Sequence, residues 1–370
     1  MKLKLFVWAL VCCMSSLYVQ GQKLQPGFDI QEYEEILRII VGSSETPAKA
    51  KLIPYPQHSV LQYKSKVMGL SNLWELWMKD GKTAVLCTRG STLDTDSWLA
   101  NIYAAMVPAT GKLEIDTGFT FNYTLCENTK AAVHVGYLVS TAYLTRDMVP
   151  KIDSCYQAGV RDFIITGHSQ GGGISYLVTA YLYALQRQGT LPQDIRIKTY
   201  CSAPPKPGNL YFAYAYEKMT QGGWAFSVVN TEDWVPQMPF SVQTLGDLPE
   251  ESPVPLVEGF IKKQSFFKRI FMRSYYKKMK NPSEKTVSTY QRFLGKEVAK
   301  QIKKYLPNFK EPSYSPSNNY VRTGLPIVLY PDAAYYEKFK RKDKDKVDLM
   351  LHHGIVPYFE LTERYLDKQR

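Results

Sequence analysis

The clearest pattern of apolar and polar positions lies in residues 162–189. Phe163, Ile164 and Ile165 form a continuous apolar run, which is typical of a strand covered on both faces. After a few small and polar residues, apolar side chains recur at steps of three and four, the spacing of one helix face; they are Ile174, Leu177, Val178, Tyr181 and Leu182. The helix should end near Gly189. The sequence therefore predicts a strand, a tight turn and a helix.

The turn between these elements reads Gly-His-Ser-Gln-Gly. In a nucleophile elbow such a turn lifts a serine, here Ser169, out of the backbone. Gly167 and Gly171 suit it, because side chains would clash where the strand and helix backbones pass closely. Gln170 begins the helix, where its free N–H can point at a developing oxyanion. The motif also occurs in purely structural turns, but its place between strand and helix favours a catalytic serine.

A catalytic serine needs a histidine as its base, and the chain has five histidines. His58 and His134 precede the serine, and His168 lies inside the elbow beside it. In an α/β-hydrolase the acid follows the serine and the histidine follows the acid. His352 and His353 are therefore the two candidates for the base.

The acid that orients the histidine should follow a strand between the serine and the base. Residues 225–230 read as such a strand, and Thr-Glu-Asp-Trp-Val-Pro comes directly after them. Asp233 is the best candidate and Glu232 is the alternative. An aspartate in this position can also cap a turn or a helix.

Several blocks, taken in order, resemble the class 3 lipases, the family of the fungal triacylglycerol lipases. They are Cys-Thr-Arg-Gly-Ser at 87–91 with Trp98 after it, Val-His-Val-Gly at 133–136, Gly-His-Ser-Gln-Gly at 167–171, Val-Val-Asn-Thr-Glu-Asp-Trp-Val-Pro at 228–236, and a late His with a Tyr five residues on. The resemblance implies an α/β-hydrolase fold, in which helices flank a mostly parallel central sheet. It implies no cofactor, and we find no CxxC or HExxH motif that would bind a metal.

The resemblance also implies roles for single residues. The serine after Arg-Gly, Ser91, corresponds to an oxyanion-hole donor, and the second donor corresponds to the backbone N–H of Gln170. The closing His-x4-Tyr spacing selects His353, with Tyr358, over His352.

Two positions depart from the family pattern. Gln170 stands where a leucine is usual, which the oxyanion contact tolerates because the backbone makes it. Asn101 stands where an aspartate is usual, and this puts a supporting interaction in doubt but not the chemistry.

Three functions fit these features. The first is a lipase or carboxylesterase that cleaves acylglycerol-type lipid esters through a Ser-Asp-His triad and an acyl-enzyme intermediate. The second is a phospholipase acting at anionic membrane surfaces. The third is a non-catalytic surface-binding scaffold, which would need a broken triad or oxyanion hole, whereas every expected side chain has a candidate here.

The N-terminus predicts export. Lys2 and Lys4 precede an apolar core, and Val-Gln-Gly at 19–21 offers small residues for cleavage. We expect residues 1–21 to be a signal peptide and the protein to be periplasmic or extracellular. Lipidation at Cys12 or Cys13 is an alternative with poorer support. No later apolar stretch approaches the ~20 residues of a transmembrane helix.

Cleavage would leave four cysteines. For Cys87 and Cys201, which lie in apolar runs, burial as free thiols is at least as good an expectation as a bridge. If a disulfide forms, we expect it between Cys126 and Cys155.

Residues 22–370 are read as one domain, because the serine, acid and base blocks belong to one fold. A large insertion is expected at about 243–345, between the acid and the base. Residues 261–310 contain 15 Lys or Arg but only two acids, Glu284 and Glu297, so 15 − 2 gives this segment a net charge of +13. The net charge of the whole chain is +12. The basic character of the protein is therefore concentrated here.

Two amphipathic helices are predicted in the insertion. The first places an apolar face among basic residues over 260–277, and the second begins with Asn281 as its cap, Pro282 at the first position and Glu284 completing a capping box. We favour packing of both apolar faces on the hydrolase core, with the lysines in solvent. The alternative is a cap that covers the site and meets an anionic lipid surface. The charge favours attraction to anionic membranes or polymers; nucleic acid is not expected, because no binding motif is present.

Overall fold

The computed structural model describes residues 24–43, 52–340 and 348–367. The expected signal peptide, residues 1–21, lies outside the described residues. A seven-stranded sheet forms the centre, in the order β1-β2-β3-β8-β9-β11-β13. From β3 onward neighbouring strands are parallel, and β1 and β2 add an antiparallel edge. The strands are β1 Ser59–Lys64, β2 Trp74–Lys79, β3 Thr83–Thr88, β8 Asp162–His168, β9 Arg196–Ser202, β11 Ala225–Asn230 and β13 Leu325–Leu329.

Helices cover both faces of this sheet. Ile164 of β8 packs into a cluster with helices at the two ends of the described chain, α1 (Ile30–Gly42) and α10 (Ile355–Asp367). Its neighbours in β8 point the other way, into a cluster with α3 (Val135–Gln157) and α4 (Gln170–Arg187). The alternation of side chains along a strand thus places apolar residues in both layers. The mostly parallel sheet with flanking helices that the sequence predicts is confirmed.

Smaller elements complete the described fold. Two further sheets have the strand orders β12-β10-β7-β4 and β5-β6. Their strands are β4 Met106–Pro108, β5 Thr110–Asp116, β6 Phe119–Thr124, β7 Ala132–His134, β10 Gly208–Asn209 and β12 Tyr320–Val321. The remaining α-helices are α2 Thr95–Ile102, α5 Leu210–Met219, α6 Val254–Lys262, α7 Phe266–Tyr290, α8 Val298–Ile302 and α9 Ala333–Lys338.

The predicted helix boundary at Asn281 is wrong. Helix α7 runs through Pro282 and continues into a π-helical turn, Gln291–Glu297, before α8. The Ser283 hydroxyl donates to the Lys280 carbonyl at 2.8 Å, so the polar residues around the proline bond within the helix and do not cap a new one. The break lies earlier, between α6 and α7 at residues 263–265.

The prediction that both apolar faces of the insertion pack on the core is confirmed for one face and wrong for the other. Val287, Val298 and Ile302 are buried, as expected for the second predicted stripe. The first stripe is exposed: Phe267 and Phe271 of α7 keep 83% and 63% of their surface in solvent. Part of the segment predicted as an insertion also enters the central sheet, because β13 pairs in parallel with β11. None of the described helices is long and apolar enough to cross a membrane.

Among the described residues, four cysteines are free thiols: Cys87, Cys126, Cys155 and Cys201. The expected pair, Cys126 with Cys155, is therefore not joined. Cys87 and Cys201 are buried, in line with the alternative that they act as small apolar side chains. Burial raises the pKa of the Cys87 thiol to about 12.

Candidate active site

The strand-to-helix turn at Ser169 has the geometry of a nucleophile elbow. Ser169 adopts φ 59° and ψ −128° between the end of β8 and the start of α4. A Cβ atom at Gly167 would lie 2.4 Å from the carbonyl carbon of Gly171, and one at Gly171 would lie 2.2 Å from the carbonyl oxygen of Thr88. Glycine is therefore required at both positions, and the serine side chain is held out of the turn.

The structure brings Ser169, His353 and Asp233 together. Ser169 Oγ lies 2.7 Å from His353 Nε2, and His353 Nδ1 lies 2.8 Å from Asp233 Oδ2. Asp233 and His353 are buried, whereas Ser169 is partly exposed. The neighbouring His352 has a different contact, because its Nδ1 lies 2.9 Å from the Tyr335 hydroxyl. Because the strands are parallel, the elbow after β8 and the acid after β11 meet at the same edge of the sheet.

Two groups hold the Asp233 carboxylate besides the histidine. The Tyr358 hydroxyl donates to Asp233 Oδ2 at 2.8 Å, and the Val235 N–H donates to Oδ1 at 2.9 Å. Tyr358 in turn accepts from the Asn230 N–H at 3.0 Å. Burial and the nearby carboxylate raise the pKa of Tyr358, so this hydroxyl stays protonated and donates. The carboxylate is thereby fixed with one oxygen towards His353.

His168 contacts the backbone of His353. Its Nε2 lies 2.7 Å from the His353 carbonyl oxygen, and its Nδ1 lies 3.0 Å from Ser202 Oγ. The two histidine rings lie 5.0 Å apart. Sequence reasoning placed His168 in the elbow but missed Ser202. Ser202 could have been found from its position, because it ends β9, the strand that pairs with β8 beside the elbow.

The loop that carries Ser91 passes over the elbow. It follows β3, whose last residue, Thr88, is paired with Gly167 of β8. A Cβ atom at Gly90 would lie 2.9 Å from the His168 carbonyl oxygen and 3.7 Å from Ser169 Cβ. Ser91 is therefore next to the residue that contacts the elbow.

Asn101 supports Ser91, although the family pattern has an aspartate there. Asn101 Nδ2 donates to Ser91 Oγ at 2.8 Å. The Tyr137 hydroxyl donates to Asn101 Oδ1 at 3.3 Å, which orients the amide. Because Ser91 Oγ accepts from the amide, its own proton remains available for an oxyanion.

The Gln170 side chain makes a contact that a leucine could not make. Its Nε2 donates to the Ser97 carbonyl at 2.8 Å, and Ser97 Oγ accepts from the Thr92 N–H at 3.1 Å. Gln170 is buried, so this bond ties the first turn of α2 to the elbow. The sequence signal was a polar residue where the family has an apolar one.

A groove of about 860 Å³ opens beside the acid loop. Its lining includes Trp234, Met238, Phe240 and Tyr320, with Lys206 and Arg322 as charged members. The groove is thus mainly apolar and begins one residue after Asp233. Among the described residues, no group of three or more His, Cys, Asp and Glu side chains could hold a metal ion.

A comparison with known families finds a match over the middle of the chain. The sequence model of the family described as Lipase (class 3) matches residues 85–243, which include the Ser91 loop, the elbow and Asp233. Over residues 85–243 the chain is similar to the class 3 lipases. His353 lies outside the part of the chain that the family model matches.

Two curated relatives are similar to parts of this chain. Secreted mono- and diacylglycerol lipase 1 of Fusarium solani is 28% identical over 125 residues, which cover 33% of this chain and 34% of the relative. Secreted mono- and diacylglycerol lipase 3 of Gibberella zeae is 42% identical over 76 residues, covering 20% and 22%. The matches thus span about a third or less of these relatives. A solved fungal lipase–inhibitor complex superposes with a TM-score of 0.44 at 20% identity, over 57% of this chain and 74% of the other.

Proposed function

We propose that this protein is a serine ester hydrolase of the lipase or carboxylesterase type that cleaves acylglycerol-type lipid esters. The observation that carries the proposal is the continuous path of short contacts from Ser169 Oγ through His353 to Asp233. The match of residues 85–243 to the class 3 lipase model and the names of the two fungal relatives support the substrate class.

In the first half-reaction Ser169 Oγ attacks the ester carbonyl carbon, and its proton passes to His353 Nε2. Asp233 holds the imidazole through Nδ1 and stabilises the imidazolium. His353 then donates the proton to the leaving alkoxide oxygen, which departs as an alcohol. In the second half-reaction water attacks the acyl-enzyme by the same proton transfers and releases the fatty acid.

The oxyanion of each tetrahedral intermediate would be stabilised by the Ser91 hydroxyl and the Gln170 N–H. Gln170 is the first residue of α4, where backbone N–H groups have no partner within the helix and the helix dipole favours negative charge. Donors fixed before the reaction cost no reorganisation when the charge develops. The Asn101–Ser91 and Gln170–Ser97 hydrogen bonds keep the loop that carries Ser91 in place.

A phospholipase is the second candidate, and the exposed basic helix α7 favours it. A positively charged surface concentrates anionic lipids, whose head groups carry phosphate. The same triad would then cleave the acyl ester of a phospholipid.

The remaining expectations belong to the same proposal. Export through a cleaved signal peptide at residues 1–21 fits the secreted fungal relatives, and would place the enzyme in the periplasm or outside the cell. Residues 22–370 would act as one catalytic domain in which the basic helices lie between the acid and the base.

Hydrolysis of p-nitrophenyl esters of graded acyl length tests the proposal, with Ser169→Ala as the inactive variant. Cleavage of long-chain esters and of emulsified diacylglycerol, both lost in the variant, is the expected result. A phospholipase would release fatty acid from phosphatidylglycerol at a higher rate than from diacylglycerol. Equal activity in the variant and the parent would refute the role of Ser169.

A further inference from the structure

The helical arm formed by α6 and α7, residues 254–286, presents large apolar side chains to solvent. None of the side chains at positions 262–286, all of them described, is buried. Six large apolar or aromatic side chains of α7 keep 53–83% of their surface in water; they are Phe266, Phe267, Ile270, Phe271, Tyr275 and Met279. This surface is neither part of the core nor part of the triad.

These side chains form a continuous strip. Phe267, Phe271, Tyr275 and Met279 follow at four-residue steps, which places them in one row along the helix. The rings of Phe271 and Tyr275 lie 4.7 Å apart. Soluble monomers rarely expose contiguous apolar surface of this kind unless it contacts a partner.

The same helix is strongly basic. Seven Lys or Arg and one Glu, Glu284, lie within α7. The side of α7 that faces α6 is held by Glu258, which accepts from the Tyr276 hydroxyl at 2.8 Å and lies 3.8 Å from Lys280 Nζ. The row of apolar side chains and most of the basic ones are left to the outside. A partner must therefore offer both apolar and anionic groups.

An anionic lipid–water interface meets both requirements. A helix that lies in the plane of such an interface buries its apolar side chains among the acyl chains, while Lys and Arg reach the phosphates. A nucleic acid would pair with the charges but would leave the Phe and Met row in water. An acidic protein surface would offer far less apolar area than a lipid layer.

The root of the arm lies beside the groove next to Asp233. The Tyr290 hydroxyl at the end of α7 donates to the Phe240 carbonyl at 3.3 Å, and Asn318 Nδ2 donates to the same oxygen at 3.0 Å. Phe240 lines the groove and is 68% exposed. A surface that holds the arm therefore also approaches the groove.

We infer that the α6–α7 arm docks the protein on anionic lipid surfaces, with the Phe267–Met279 row inserted among the acyl chains and the basic side chains on the phosphates. The docking is inferred from the arm alone. That docking supplies lipid esters to the groove rests on the proposed function.

Sedimentation with vesicles tests the docking, using the full chain with Ser169→Ala so that no lipid is cleaved. Binding to vesicles of phosphatidylcholine mixed with phosphatidylglycerol should exceed binding to phosphatidylcholine alone and should fall as salt rises. Lys277→Gln and Lys278→Gln should each weaken binding about fivefold, since a basic residue near an anionic surface contributes about 1 kcal/mol. Phe267→Ser with Phe271→Ser should weaken the binding that persists at high salt.

Matched controls lie outside the arm, at exposed positions. Lys66→Gln and Lys82→Gln remove exposed charges away from the arm, and Val60→Ser removes an exposed apolar side chain of β1. These variants should bind as the parent does. Equal binding to both vesicle types, or equal losses in control and arm variants, would overturn the docking. So would concentration-dependent self-association of the parent that the Phe267→Ser variant abolishes, without vesicle binding.

Hydrolysis of soluble p-nitrophenyl butyrate separates this inference from the proposed function. Arm variants with intact Ser169 should cleave this ester at the parent rate and lose activity on phosphatidylglycerol-containing emulsions. Absence of any ester cleavage by the parent would refute the hydrolase, while vesicle binding would still decide the docking.

Discussion

Replacement of Asp233 by asparagine tests the triad through the tautomer of its histidine. Asp233 Oδ2 accepts from His353 and Tyr358, and Oδ1 accepts from the Val235 N–H. Asparagine offers one oxygen for these donors. If that oxygen stays on Val235, the amide NH₂ faces His353 Nδ1, which must then accept. The ring proton moves to Nε2, which can no longer take the proton of Ser169.

The opposite amide orientation costs stability. It would place the NH₂ of Asn at position 233 against the Val235 N–H, and an unsatisfied buried donor costs about 1–3 kcal/mol. The first orientation removes the acceptor of the Tyr358 hydroxyl at a similar cost, so both orientations are expected, and in both the imidazolium loses its carboxylate. Loss of the orienting carboxylate in a serine triad lowers kcat by about 10⁴, or about 5.4 kcal/mol in the barrier. We expect this loss for Asp233→Asn with p-nitrophenyl butyrate at saturation, with a melting curve that still shows a folded protein.

Glu232→Gln is the matched control, since Glu232 is the alternative acid in the sequence. Its Oε1 accepts from the exposed Tyr336 hydroxyl at 2.9 Å. A surface substitution of this kind changes free energies by about 0.5 kcal/mol, so kcat should stay within about twofold. The reasoning is refuted if folded Asp233→Asn keeps more than a tenth of the parent activity, or if Glu232→Gln loses as much.

Three further outcomes are expected. Gly171→Ala should destabilise the fold by more than about 4 kcal/mol in urea unfolding, because its Cβ would lie 2.2 Å from Thr88 O; a wild-type midpoint would contradict this. Gln170→Leu should lower kcat by less than about tenfold, since one neutral hydrogen bond to Ser97 is lost and the backbone N–H remains; a hundredfold loss would mean that the side chain acts directly. Burial lowers the pKa of His134 to about 3. The unfolded chain binds that proton near pH 6.5, so stability is present above about pH 6.5 and falls by about 2 kcal/mol on going to pH 5. His134→Asn should reduce the difference between urea midpoints at the two pH values, and an unchanged difference would exclude His134 as its source.

The elements around the serine could be predicted because local pattern and tertiary environment agree there. Residues 163–165 are apolar at every position, and β8 is buried on both faces. The strand at 225–230 was predicted with the bounds that the structure has. The contact between His353 and Ser169, by contrast, depended on the family resemblance, since two adjacent histidines have the same local sequence environment.

The insertion could not be predicted to the same depth. Asn281 and Pro282 carry the local signals of a helix start, yet the hydroxyl of Ser283 bonds within a continuing helix. An apolar face in a sequence shows that something should cover it, but not whether the cover is the core of the protein. The edge strand β13 was not predicted either, because it is short and contains Pro326. It is stabilised by its pairing with β11, which the local sequence does not show.

Under the proposed function, the order of Ser169, Asp233 and His353 along the chain also governs when the protein becomes active during its synthesis. Asp233 and His353 are separated by 120 residues, most of which form the insertion and the last strand of the sheet. At translation rates of about 5–20 residues per second, the ribosome needs about 6–24 seconds to pass from one to the other. During that time the nascent chain contains Ser169 and Asp233 but not His353, the proposed base. A hydrolase ordered in this way cannot attack the lipids of the cell while that segment is being made.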